Sequence, residues 1–208
     1  MFQPATPSAT HDPRRAAILQ AAFEVFCRYG FRRTSMEDIA RAADLSRAAL
    51  YLHFANKQDI HRSLIGHYFA VTEDRARAAL KPGLPPEAAL EGFFNAKAGP
   101  ELEAMFASPH GQELIDANAT TSADLVQEGE ARIAALLADW LQAEAAAGRI
   151  TLPGEARTLA GAITGALAGI KSPRAGIAAF RADARHLAAL LGRGMRPEIA
   201  QPGPDRML

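Results

Sequence analysis

Between Thr34 and Ile60 the chain reads TSMEDIARAADLSRAALYLHFANKQDI, a stretch that dictates two short helices held at a fixed turn. Thr34 and Ser35 precede Met36, and each has a carboxylate three residues on, Glu37 and Asp38. A capping box can therefore satisfy the first unpaired amides of a helix that starts near Met36. Met36, Ile39, Ala40 and Ala43 follow at the three, four and seven spacing of one buried helical stripe. Asp44 interrupts it, because Asp is a weak helix former that tolerates the left-handed backbone of a tight helix stop. Ser46 supplies a second N-cap. A second helix from Arg47 to Phe54 can then bury Leu50 and Phe54 and turn Arg47, Ala48, Ala49 and Leu52 outward. Two helices joined by about three to four turn residues form a helix-turn-helix, whose second helix enters the DNA major groove N-terminus first.

On these residues the segment resembles the DNA-binding end of TetR-type transcriptional regulators. The resemblance is carried by the capping Thr34, the pair Ile39 and Ala40, and the turn Ala43-Asp44-Leu45-Ser46. It continues through the run Leu50-Tyr51-Leu52-His53-Phe54 and the helix opening Asn56-Lys57. Asp44 stands where the family usually has Gly. The match runs from about Arg14 to Leu64, and the rest of the chain agrees in length and helical character.

What the resemblance implies is an all-α fold. An N-terminal three-helix helix-turn-helix domain (12–56) would be joined by a long helix to a helical regulatory, ligand-binding and dimerisation domain (57–195), between a flexible arm (1–11) and a flexible tail (196–208). Thr34, Tyr51, His53 and Lys57 match the family's phosphate-contacting positions, and Lys57 opens a helix whose N-terminal amides also attract phosphate. At the start of the recognition helix, next to its cap Ser46, Arg47 is a candidate for a bidentate contact to guanine, with Ala48, Ala49 and Leu52 able to touch thymine methyls. Arg47 binding phosphate alone, with Tyr51 merely packing, is the other reading.

Before the motif, Ile18, Ala22, Val25, Phe26 and Tyr29 recur at helical spacing, with Gly30 placed to stop that helix at positive φ and Phe31 to pack back. Cys27 has no second cysteine, so it is expected as a small buried or half-buried hydrophobe rather than a disulfide or thiolate ligand. The N-terminus lacks a long apolar run, so no signal peptide is indicated and a cytoplasmic location is expected. Net charge is zero, but residues 1–62 hold nine basic against six acidic side chains, a net of +3, and the remainder carries −3. That asymmetry suits a basic end attached to a body with another job.

From Lys57 a helix can continue to the KPGLPP break at 81–86, about 24 residues or roughly 36 Å, long enough to reach from DNA into the body. Gly99-Pro100, Ser108-Pro109, Pro153-Gly154 and Ser172-Pro173 punctuate the remainder, with Pro109 read as a helix start. Ile133, Leu136, Leu137, Trp140 and Leu141 form an amphipathic face. The resemblance implies a pocket in this region for a small, largely apolar effector. Tyr68, Phe93, Phe94, Met105, Phe106, His110, Leu137 and Trp140 are the candidate lining, and Asn118 is a further polar candidate. A filled core is the other reading of the same apolar side chains.

Gly161, Gly165 and Gly169 lie four apart within an uncharged run of 13 residues, 158–170, too short for the roughly 20 that span a bilayer. They offer close helix approach. Ile177, Phe180, Ala184, Leu187 and Leu191 step by three and four along the next helix. Both features suit the two-fold dimer interface that the resemblance implies, and packing within one subunit would produce the same stripe. The six histidines form no four-residue pair, and no phosphate-cradling glycine loop, nucleophile elbow or Cys-His arrangement appears. The expectation is a non-enzymatic, cofactor-free dimeric regulator that binds double-stranded operator DNA, with no membrane span. A helical small-molecule binder without regulatory DNA binding is the alternative.

Overall fold

The computed structural model describes residues 12–171 and 175–197. Within the described residues the chain is helical without a strand: α1 (Pro13–Tyr29), α2 (Met36–Ala42), α3 (Arg47–Tyr51), α4 (Lys57–Ala79), α5 (Pro86–Ala96), α6 (Pro100–Ala107), α7 (Gly111–Thr121), α8 (Ala123–Ala146), α9 (Ala156–Gly169) and α10 (Gly176–Gly194). The arm at 1–11, Pro173 and most of the tail lie outside the described residues.

Local chemistry sets the first four helices. Asp12 caps α1 by accepting from Arg14 N, and Pro13 fills a position whose amide would have no partner. Gly30 ends α1 at φ 82. Its ψ of 157 makes this an extended mirror-image conformation rather than a left-handed helical one. Ser35 and Asp38 form the capping box of α2 in both directions, and Asp44 takes the left-handed turn at φ 53. Ser46 caps α3 by accepting from Ala49 N at 3.1 Å.

Three local expectations need correction. α3 stops at Tyr51 rather than Phe54, because the Leu52 amide reaches back to Ala49 O and His53 to Leu50 O, a tightened last turn that swings Phe54 into the core. Tyr29, placed on the buried stripe of α1, is 48% exposed at the end of its helix. Pro109 opens no helix: Ser108 ends α6, its hydroxyl accepts from His110 N, and α7 begins at Gly111.

Two apolar cores result. Ile18, Ala22, Phe26, Ile39, Leu50 and Phe54 close the head, and Ile60 and Leu64 of α4 complete it. Leu114 and Ala117 of α7 also pack there, so α7 is shared with the body. Phe69, Leu90, Phe93, Phe94, Leu137 and Phe180 belong to the larger core formed by α4 to α10. Glycines set the closest approaches in the body. A Cβ at Gly129 would overlap the Phe69 ring, and one at Gly192 would overlap the backbone of Glu87. These contacts draw α8 onto α4 and α10 onto α5.

Candidate DNA interface and the cavity behind it

The outward surface of α3 gathers Arg47, Ala48, Tyr51 and Leu52. Leu52 is 85% exposed. Arg47 is exposed, donates from Nη2 to the Tyr51 hydroxyl at 3.4 Å and lies 5.6 Å from that ring's centroid, so the pair forms one exposed unit. Ala49 is half-buried beside them, and Ser46 spends its hydroxyl on the helix cap.

The other expected phosphate ligands are employed inside the head. Thr34 is buried, and its hydroxyl donates to Gly30 O at 2.7 Å. The Lys57 ammonium donates to three carbonyls, Phe31 O at 2.8 Å, Arg32 O at 3.0 Å and Thr34 O at 2.9 Å, and stands over the Phe31 ring. All three of its protons are used, and burial pulls its pKa below the ordinary lysine value. Lys57 is therefore the clasp of the α1–α2 loop rather than a free cation. His53 is half-buried, 3.6 Å from the Asp12 carboxylate, and its carbonyl accepts from Arg15 Nη1 at 2.8 Å.

Arg15 is a structural residue the sequence did not disclose. Its guanidinium stacks 4.0 Å from the Phe54 ring centroid and also donates to Ser63 Oγ at 3.0 Å, joining α1, the end of α3 and α4. Partners 38 and 48 residues away leave no periodic signal.

The body grips the head at several points. Glu113 of α7 accepts from Arg32 N at 2.7 Å, and Ser108 Oγ donates to Cys27 O at 2.6 Å. Arg62 of α4 forms a two-pronged pair with Asp124 of α8, at 2.7 and 2.6 Å. Beside it, His61 Nδ1 lies 3.0 Å from Ser122 Oγ. Desolvation drops the His61 pKa to about 4, so the ring is neutral at pH 7. Cys27 is half-buried, and burial pushes its thiol up to about 11.

Behind these contacts lies a cavity of about 90 Å³. Phe23 and Phe26 of α1 and His61, Leu64, Ile65 and Tyr68 of α4 form one side. Glu101, Leu102 and Met105 of α6, Leu114 and Asn118 of α7, and Lys171 after α9 form the other. Of the expected pocket residues, Tyr68 and Met105 line it, as does Asn118. Phe93, Phe94 and Leu137 are fully buried in the body core, with Phe106 and Trp140 nearly so, because helical periodicity marks a buried face without showing whether it meets a void. His110 lies elsewhere, its Nδ1 3.4 Å from Glu113.

The last two helices divide differently from expectation. Phe180 and Ala184 of α10 are buried in the subunit's own core, with Phe180 6.3 Å from the Phe106 ring, and Ile177, Leu187 and Leu191 pack partly against it. Phe180 and Ala184 are thus spent on intrasubunit packing, and Ile177, Leu187 and Leu191 keep part of their surface exposed. Gly161, Gly165 and Gly169 face outward, with nothing among the described residues within 4 Å of where a Cβ would stand. Leu190, 72% exposed on α10, was not singled out from sequence because it falls off the apolar stripe. Among the described residues no helix is long and apolar enough to cross a membrane.

Residues 18–64 match the family model for bacterial regulatory proteins of the tetR family. The HTH-type transcriptional regulator TtgR of Pseudomonas putida is 37% identical over 65 residues, 31% of each chain. Matches to the first curated relatives span only 26% to 38% of their length. Fold similarity extends further. A transcriptional regulator from Cytophaga hutchinsonii superimposes with TM-score 0.73 at 17% identity, over 89% of this chain and all of the other. SmeT, the repressor of the Stenotrophomonas maltophilia multidrug efflux pump SmeDEF, superimposes in its triclosan complex with TM-score 0.67 at 14% identity, over 93% and 97% of the two chains.

Proposed function

The head of this chain is a TetR-type DNA-binding domain on a TetR-type fold, and from that premise we propose that the chain is a cytoplasmic, sequence-specific transcriptional repressor. It binds a near-palindromic operator as a dimer and is released by a small, largely apolar effector. It acts by binding, without a catalytic step. The observation that carries this reading is the cavity at the junction: its walls come from α1 of the head, α6 of the body, and α4 and α7, which the two share.

Size makes that placement mechanical. Small-molecule pockets usually measure about 300–1,000 Å³, whereas this cavity measures about 90 Å³. An effector that enters must part the walls. Because α7 also packs in the head core and holds the α1–α2 loop through Glu113, parting them shifts the head relative to the body. The effector acts through its differential affinity for the parted and closed states, and bound DNA weakens the effector by the same factor.

Dimerisation is proposed through the open glycine face of α9 together with the Leu190 side of α10. Two-fold symmetry sets two recognition helices on half-sites about 34 Å apart or a little more. The exposed Arg47, Tyr51 and Leu52 face the groove, with Ala48 beside them. The fold-mate SmeT holds triclosan, which is consistent with an apolar effector here.

Light scattering at micromolar concentration together with a salt titration of DNA binding tests this reading. A dimer whose affinity for its preferred duplex falls steeply with salt is expected. A monomer, or binding that ignores salt, contradicts it.

A further inference from the structure

The cavity is apolar along most of its wall, but one end is charged. Glu101 and Lys171 line that end, and Arg75, Lys97 and Glu130 stand behind it. Glu101 is held by Arg75, whose Nη1 lies 3.1 Å from Oε2. Glu130 is held by the Lys97 ammonium. Both carboxylates are thus satisfied, and three cations share two anions.

Lys171 is the cation left over. Its ammonium lies 5.9 Å from the Tyr68 ring centroid, and among the described residues it makes no hydrogen bond or ion pair. The Tyr68 hydroxyl is directed instead at Lys97 O, to which it donates at 3.3 Å. Burial pulls the Lys171 pKa down to about 8, and the like charge of Lys97 adds to this while Glu130 opposes it. The ammonium is still mostly protonated at pH 7 and has lost much of its water. A partly desolvated cation without a contacting anion is costly, and an arriving anion reduces that cost. A cationic head group would find the reverse, with both carboxylates occupied and a like charge facing it.

We propose that the effector is an amphipathic anion, an apolar body carrying one carboxylate or similar acidic head, and that Lys171 binds the head while the α1–α4–α6–α7 walls take the body. The proposal rests on the regulatory reading above and assigns the chemical class of its effector. The Tyr68 ring faces the ammonium, and Met105, flexible and apolar, is placed to yield as the chain of the effector enters.

Calorimetric titration of the full chain at pH 7 with straight-chain alkanoates of six to twelve carbons, and with the alcohols and amines of equal length, tests this. The best alkanoate is expected to bind at least about tenfold tighter than its matched alcohol, the usual worth of a charge-assisted hydrogen bond. Lys171→Met should erase that difference while leaving alcohol affinity in place, and Lys171→Arg should retain it. Equal binding of acid and alcohol to the unaltered chain overturns the proposal, as do preference for the amine, acid preference surviving in Lys171→Met, or no binding by any member. The same samples are assayed on operator duplex. Acid preference without DNA binding overturns the regulatory reading alone, and DNA binding without acid preference overturns the effector class alone.

Discussion

Lys57 shows how one residue can match a motif and serve another purpose. Its three carbonyl partners lie 23 to 26 residues earlier in the chain, so the sequence displayed a lysine at a helix start and concealed the clasp. Charge-assisted hydrogen bonds contribute about 1.5–3 kcal/mol, less where water still reaches the group. Lys57→Met is expected to lower unfolding free energy by roughly 1–3 kcal/mol in urea while leaving the salt dependence of DNA binding unchanged. A stable variant whose salt slope falls by about one would make Lys57 a phosphate ligand after all. Arg47 is the opposite case, exposed and hydrogen-bonded to Tyr51. Arg47→Ala is expected to cost about 1–3 kcal/mol on the preferred duplex and little on random duplex, measured by anisotropy. Equal loss on both would reduce it to a phosphate contact. The caps Ser35 and Ser46 were legible because their partners lie three residues away. Arg15 and Lys57 were not, because tertiary partners leave no local pattern.

At the scale of elements, glycines that look alike in sequence have opposite surroundings. Gly129→Ala would overlap Phe69 and push α8 off α4, costing about 1–3 kcal/mol by overpacking even after the better helix propensity of Ala. Gly165→Arg on open α9 should spare the subunit's fold and break the dimer, as read by denaturation and light scattering. A dimer that survives Gly165→Arg removes that face as the interface. The stripe on α10 was legible as apolar, but apolar periodicity does not say which neighbour it meets, and α5 and α6 cover Phe180. The α4–α8 joint carries a pH dependence through His61. Its folded pKa of about 4 lies below the unfolded value of about 6.5, so the unfolded chain binds the proton more readily. Stability from this residue is complete above about pH 6.5 and is lost as pH falls toward 4, by roughly 2 kcal/mol between pH 7 and 5. His61→Gln should flatten that part of the stability profile, and an unchanged profile would show that the ring is not held neutral.

The whole molecule is a head and a body that share α4, α7 and the small apolar cavity between them. The helical layout and the long connecting helix were legible from turn signals and apolar spacing, since both are written locally. The cavity was not, because its walls come from α1, α4, α6, α7 and the segment after α9, and no spacing within one helix reports a void between four helices and a loop. Shifting such a molecule from 1:99 to 99:1 between operator-bound and released shapes takes about 5.5 kcal/mol of differential affinity, and the parted walls and an acid on Lys171 are where that difference would arise. All of this depends on the chain reading DNA sequence. Selection of bound fragments from a random duplex pool measures that most directly. A near-palindromic winner, with half-sites about one helical turn apart and affinity falling steeply with salt, is the predicted result. No enrichment over random duplex would contradict the account and leave a helical protein that binds small molecules without regulating through DNA.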